Sequence, residues 1–215
     1  MKVSAVVPTR NRRQSLIRLL KTFQQQTYKC FEIIIVDSSD NKDYKETLFL
    51  NFPDLPLFWI DSEPSVCIQR NMGIKRSSSD WLFICDDDME LPADYLQQLV
   101  DFTELNSDCG CVSGVCFHKV GDNWVYEYPP GSFTELYWAF VFQLSLWGNI
   151  RSVKMHWLVQ PFGKLILRWY SSRRNGLTLA GWPLITDLSG KVFQTSVYSL
   201  GASLVKRRWV MDSPF

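Results

Sequence analysis

The run Ile33-Ile34-Ile35-Val36 offers no polar face to water. A strand that is apolar at every position has to be covered on both sides, and the usual solution is the interior of a parallel sheet with helices on each face. Three more segments read the same way: Val3 to Val7, Leu57 to Ile60, and Trp81 to Cys85. Between them lie helical patterns. Residues 12–26 place Leu16, Leu19, Leu20 and Phe23 on one face, residues 65–79 read as a second helix, and Pro92 is expected to open a third that runs to about Leu105. Cys109 to Phe117 reads as a fifth strand. The alternation implies an α/β fold with right-handed crossovers.

The acidic residues fall where such a sheet puts its ligands. Asp37 ends the second strand, Asp61 the third, and Asp86-Asp87-Asp88 the fourth. In open parallel sheets ligands bind outside the carboxyl ends of the strands. Asp37, followed by Ser38-Ser39-Asp40-Asn41, also suits a turn that hydrogen-bonds its own backbone. The triplet is more demanding. Adjacent carboxylates repel one another unless they are solvated or paired with a cation. They also precede Pro92 by too far to cap its helix. Carboxylate oxygens suit a hard divalent cation such as magnesium or manganese. An ion with few protein ligands keeps positions open for phosphate oxygens and can neutralise a departing diphosphate.

Composition narrows the partners. A net charge of +1 lacks the basic excess that nucleic-acid binding requires, so no nucleic-acid partner is expected. Six cysteines, with an opening apolar run too short for a signal peptide, read as reduced residues of a cytoplasmic protein. Cys109-x-Cys111…Cys116-x-His118 is not spaced like a common structural zinc motif. On a strand its members would face opposite sides, so small core residues are the expected reading.

Four motifs in order resemble glycosyltransferase family 2. Val6-Val7-Pro8-Thr9-Arg10-Asn11-Arg12 resembles that family's opening strand and loop. Ile33-Ile34-Ile35-Val36-Asp37-Ser38-Ser39 resembles its second strand, and Gln69-Arg70-Asn71-x-Gly73 its helix before the fourth strand. Phe83-Ile84-Cys85-Asp86-Asp87-Asp88 resembles the strand that carries its Asp-x-Asp metal motif. More loosely, Leu200 to Arg208 resembles a later segment. The resemblance implies the GT-A fold, a Rossmann-like, mostly parallel sheet flanked by helices. It implies sugar transfer from a nucleoside diphosphate sugar to an acceptor hydroxyl, usually with inversion, assisted by Mn2+ or Mg2+. Carried over, Pro8, Thr9 and Arg10 would line the nucleotide pocket and Asp37 would meet the base or ribose. Arg70 would sit by the base or diphosphate, Asp87 by the ribose or sugar, and Asp86 and Asp88 at the metal, with Asp88 as the direct ligand. The expected division is a nucleotide-sugar-binding half over 1–118 and an acceptor-side half over 119–215. A non-catalytic nucleotide-sugar-binding module is the alternative. A sugar nucleotidyltransferase is disfavoured because no glycine-rich loop follows the first strand.

Inverting transfer also needs a base for the incoming hydroxyl. In the family an acidic pair beyond the segment like Gly201 to Arg208 supplies it. The resemblance therefore implies a base beyond Phe215 and a chain that binds donor but transfers poorly; Asp187 is the candidate within the sequence. The second half is otherwise aromatic and basic. Leu136 to Trp147 is apolar but falls short of the about 20 residues that span a bilayer. Arg151, Lys154, His156, Lys164, Arg168, Arg173 and Arg174 follow among Trp157, Phe162 and Trp169. That mixture, over 134–174, suits peripheral contact with an anionic membrane face, near a glycan or lipid-linked acceptor. Packing against further protein is the other reading.

Overall fold

The computed structural model describes residues 1–150, 153–173, 175–188, 190, 192–197, 201–212 and 215. Arg151, Arg174 and Leu200, named above, lie outside the described residues. Along the chain come β1 (Val3–Thr9), α1 (Arg13–Gln25), β2 (Glu32–Asp37), α2 (Lys45–Asn51), β3 (Leu57–Asp61), α3 (Val66–Arg76), β4 (Trp81–Cys85), α4 (Tyr95–Leu105) and β5 (Cys111–Ser113). Then follow β6 (His118–Val120), β7 (Asn123–Val125), α5 (Phe133–Val141), β8 (Leu146–Trp147), α6 (Gln160–Arg173) and β9 (Leu184–Ile185). The last elements are β10 (Ala202–Lys206) and α7 (Arg207–Asp212).

Two compact units result. The first holds Met1–Gly114 together with Ser199–Phe215, and the second Val115–Tyr198. The expected single acceptor-side half, 119–215, is therefore divided. The reason is strand pairing: β10 runs antiparallel between β4 and β5, so the chain's last stretch completes the first unit's sheet. The sheet order is β3-β2-β1-β4-β10-β5, with β3, β2, β1 and β4 parallel. The expected α/β fold with a mainly parallel central sheet is the one observed.

Every residue of β1 and β2 is buried, as their apolar sequences require. One face is covered by α1 through Leu16, Leu19, Leu20 and Phe23. On β1 and β2 rests α3, whose Gly73 lets the two approach. A Cβ built there would stand 2.4 Å from the Val6 side chain and 3.3 Å from that of Val36. Ser4, Ser78 and Arg76 partner the buried Glu32 carboxylate, so this polar group inside the sheet is satisfied.

Two expected elements shift. The third helix begins at Tyr95 rather than at Pro92, because tertiary hydrogen bonds claim the preceding carbonyls. Gln26 Nε2 donates to Pro92 O at 2.7 Å and Thr27 N to Ala93 O at 2.8 Å. The fifth strand shrinks to Cys111–Ser113, the three residues that pair with β10. All six cysteines are free thiols, and among the described residues no group of three or more His, Cys, Asp and Glu side chains could hold a metal ion.

The second unit has its own core, built on Leu136, Ala139, Leu146, Ile150, Ile166, Tyr170 and Leu184. Gly121, at φ +61°, supplies the left-handed residue that the turn between β6 and β7 needs. Here α5 packs on α6, and β8 pairs in parallel with β9. No helix among the described residues is long and apolar enough to cross a membrane.

Candidate functional site

Parallel pairing lines up the strand ends. Thr9 stands beside Asp37, and Asp37 beside Asp61. The loop after β4 joins the same edge, because Thr9 Oγ1 donates to Asp87 Oδ2 at 2.6 Å. The antiparallel β10 also reaches it: Asp86 N donates to Gly201 O at 2.9 Å. The sheet thus gathers the acids that the sequence placed at separate strand ends.

Within the triplet each carboxylate has a different setting. Asp86 accepts from Arg70 Nη2 at 2.7 Å, and its side chain is 38% exposed. Asp87 is almost wholly buried and meets Thr9 and Arg12. Asp88 is 52% exposed and accepts from Arg12 Nη1 at 2.9 Å. The same Arg12 nitrogen lies 3.3 Å from Asp87 Oδ1, so one guanidinium bridges two carboxylates. In these contacts three carboxylates share two cations, Arg12 and Arg70. Burial pushes the Asp87 carboxyl above its ordinary range, against the pull of Thr9 and Arg12. Hydrogen bonding to Asp87, and the charges of Asp87 and Asp88, hold the Arg12 guanidinium still more firmly protonated.

Arg70 reaches this edge because α3 is clamped to it. Gln69 Nε2, buried, donates to Thr9 O at 2.8 Å and to Val36 O at 2.7 Å. Those bonds fix the helix against the ends of β1 and β2 and aim the next residue at Asp86. The Arg70 side chain is 10% exposed, and its Nε is buried without a hydrogen-bond partner. Beside it, Asn71 pairs with the backbone of Phe215 through two hydrogen bonds of 2.8 and 3.0 Å, and the Phe215 ring lies under the Arg70 guanidinium.

The other expected residues divide. Pro8 is buried near the end of β1. Arg10 leans towards Asp40, 3.6 Å away, rather than towards the triplet. Asn11, at φ +54°, turns the loop, and its side chain pairs with Asp40 through bonds of 2.7 and 3.0 Å. Asparagine tolerates that conformation better than most residues. Asp37 is fully buried. It accepts from Ser39 N at 2.8 Å, from Ser39 Oγ, and from Tyr44 OH at 3.1 Å. These are the turn hydrogen bonds its sequence allowed, so Asp37 stands behind the edge and holds the loop that forms it. Asp61 is exposed and paired with Lys42 at 2.7 Å, and that hydrogen bond holds its carboxyl below the usual range. Asp187 belongs to the second unit, in the loop after β9. Asn175 fixes the backbone there by accepting from Asp187 N and donating to Asp187 O.

Arg12, Gln69 and Tyr44 carried no assigned role in the sequence reading. For Arg12 a signal existed: a cation three residues past the end of β1 is placed to meet acids at the end of a neighbouring strand. Gln69 and Tyr44 gave none, because their partners are a carbonyl 60 residues away and an aspartate seven residues away.

In an α/β protein with a mainly parallel sheet, the carboxyl edge of the strands is where ligands bind. Comparison with known proteins makes this specific. Residues 4–156 match the family model described as glycosyl transferase family 2. The chain belongs to glycosyl transferase family 2. It is 32% identical over 120 residues to the uncharacterized glycosyltransferase YwdF of Bacillus subtilis, covering 53% of this chain and 44% of that protein. It is 31% identical over 118 residues to the poly(ribitol-phosphate) beta-N-acetylglucosaminyltransferase TarP of Staphylococcus aureus, covering 50% and 35%. The chain spans less than half the length of these relatives. A mannosyltransferase from Pyrobaculum calidifontis, solved with GDP-Man and Mn2+, aligns with all of this chain and 47% of its own, at a TM-score of 0.55 and 16% identity. That likeness shows a shared fold.

Proposed function

We propose that the carboxyl edge of the first unit binds a nucleoside diphosphate sugar together with a divalent metal ion, for transfer of the sugar to an acceptor hydroxyl with inversion. The observation that carries this reading is the meeting of Thr9, Arg12, Arg70 and the acidic triplet at one sheet edge. The donor set fits a hard cation. Asp86 and Asp88 offer partly exposed carboxylate oxygens, and Arg12, the counter-ion of Asp88, is an exposed side chain that can move. Two protein ligands leave positions for diphosphate oxygens. When bound, the ion neutralises charge that develops on the leaving diphosphate.

The chain's own groups divide the rest of the work. Arg70, held under Asp86 by the Gln69 clamp, is a fixed cation beside the leaving group. Asp87, buried and gripped by Thr9, faces the ribose or sugar. Pro8, Thr9 and Arg10 form the wall of the nucleotide pocket. Asp37 holds the Ser38-Ser39-Asp40 loop of that wall, and direct contact with a base would require its Ser39 or Tyr44 bond to open. In the reaction the acceptor oxygen attacks the anomeric carbon, its proton passes to a base, and the bond from that carbon to the diphosphate breaks. The carboxylates at this edge are engaged as described, and none of them is assigned as the base.

Calorimetric titration with UDP, GDP and TDP, with and without manganese, tests the donor site. Metal-dependent binding of one nucleotide is expected; binding of none would refute it. For the base, Asp187→Asn is expected to leave nucleotide binding unchanged. Loss of transfer in that variant would make Asp187 the base, and persistence of transfer would remove it from consideration. A site that binds donor without any transfer would favour the alternative, a non-catalytic nucleotide-sugar-binding module.

A second reading concerns the second unit. Its ring contacts run unbroken from Phe162 to Tyr137, Trp138 and Phe142, at centroid separations of 6.0, 5.2 and 5.5 Å. Phe162, Trp138 and Phe142 are 47%, 48% and 62% exposed. Lys164 and Arg168 are exposed on the same helix as Phe162, and no carboxylate occurs from residue 136 to 186. Aromatic rings and cations without acids suit the interface of an anionic bilayer, and hence a lipid-linked or polymer acceptor at the inner membrane face. Sedimentation with anionic vesicles is expected, with loss on Trp138→Ala combined with Phe142→Ala. Equal sedimentation of that variant would remove the reading.

A further inference from the structure

Arg12 occupies a telling position. Its Nη1 lies 2.9 Å from Asp88 Oδ2 and 3.3 Å from Asp87 Oδ1, yet its side chain is 58% exposed. It is therefore an internal counter-ion held by charge rather than by packing. Its neighbour in role, Arg70, differs in kind: that side chain is nine-tenths buried, clamped through Gln69, and paired to Asp86 alone among the three. One cation is built in and the other can swing. The mobile one covers the carboxylate that is most open to solvent, which is the one best placed to meet an incoming ion.

We propose that Arg12 is an exchangeable counter-ion of the donor site, displaced from Asp88 by the divalent metal and taken up by the diphosphate that arrives with it. This rests on the donor-site reading above. The physical basis is competition between cations. A guanidinium and a divalent ion cannot both take the outer oxygens of Asp88, so the arginine lowers the affinity for metal alone. Once released, it is a fork of donors beside the site, suited to phosphate oxygens. Its charge is then spent on the diphosphate. Metal and nucleotide binding are therefore coupled, and by reciprocity each strengthens the other. The loop supports such a swing. Asn11 anchors it to Ser39 and Asp40 by three hydrogen bonds while Arg12 itself remains exposed, so the side chain moves on a fixed base.

Without this cation the empty site carries an uncompensated pair, Asp87 and Asp88, and would capture metal without donor. The arginine makes loading conditional on the diphosphate. Because Asp87 keeps its Thr9 bond whether or not Arg12 is present, the release of Arg12 leaves the buried carboxylate partnered.

The test titrates Mn2+ alone into the wild-type chain, Arg12→Gln and Asp88→Asn, by calorimetry or by the paramagnetic resonance of free manganese. The same titration is then repeated with whichever of UDP, GDP and TDP the wild type binds. Arg12→Gln is expected to bind Mn2+ alone about tenfold more tightly than wild type, and to lose most of the strengthening that nucleotide confers on metal, in the usual range of such couplings. Arg12→Lys, which keeps the charge but not the fork, is expected to fall between them. Arg12→Gln that binds Mn2+ alone no better than wild type, including not at all, overturns the proposal. Failure of the donor-site reading looks different: there Asp88→Asn matches wild type with metal and nucleotide together. Thermal melts that coincide for wild type and Arg12→Gln exclude a folding defect, as the exposure of this side chain leads one to expect.

Discussion

Asp88→Asn is expected to weaken metal-dependent nucleotide binding by about 100-fold or more, since removing even a group that only orients metal ligands costs about 10–100-fold. The amide keeps the shape of the side chain but loses its negative charge, and a hard divalent cation binds chiefly through that charge. Stability should barely change. The residue is half exposed and its described partner is Arg12, a surface pair of the sort worth about 0–1 kcal/mol. The two readouts together make the result interpretable. A large loss of affinity with an unchanged melting temperature places Asp88 at the metal. Equal loss of binding and of fold would instead make the triplet a structural feature of the loop. Asp86→Asn should lose affinity as well, but it also leaves Arg70 without its carboxylate, so part of its effect would come through that displaced cation.

Gln69→Ala should cost about 2 kcal/mol of stability and also weaken nucleotide binding, although Gln69 touches no ligand in this scheme. Its amide donates to Thr9 O and Val36 O, and two such bonds are worth about 1 kcal/mol each. Thr9 O keeps a second donor in Ser38 N, which limits the penalty there. The loss of binding follows from position. Gln69 joins the helix that carries Arg70 to the strand that carries Thr9, and Thr9 in turn grips Asp87. Gln69→Glu should be worse, by about 3 kcal/mol or more, because an ionised carboxylate in that buried place faces two carbonyl oxygens and cannot donate. Urea melts measure the first effect and calorimetry the second. Nucleotide affinity in Gln69→Ala equal to that of wild type would show that the clamp serves the fold alone.

Much of this was legible beforehand, for identifiable reasons. The unbroken apolar character of β2 demanded cover on both faces, and that demand alone led to a parallel sheet between helices. Once the strands were parallel, their carboxyl ends had to share an edge, so Asp37, Asp61 and the triplet could be gathered on paper. Leu16, Leu19, Leu20 and Phe23 follow the helical period, and all four are buried. Local chemistry misled where distant partners intervened. Pro92 does not open its helix, because Gln26 and Thr27 take the carbonyls beside it. The last strand could not be assigned to the first unit from its own residues, since apolar strands pair equally well with many neighbours and only the sheet's open edge selects one.

What the sequence by itself determined, then, was the class of fold, the edge that carries the acids, and the kinds of residue present there. Those follow from periodicity and from the chirality of crossovers, which act over tens of residues. Tertiary structure alone decided who holds whom. It put Asp37 wholly inside its own turn and set Arg12 across two carboxylates some 75 positions away. It made one of three adjacent aspartates buried, another half open, and brought Phe215 back to Asn71. The physical reason is that a carboxylate's role depends on its burial and on the charges within a few ångströms of it, and neither quantity is written in its sequence neighbours.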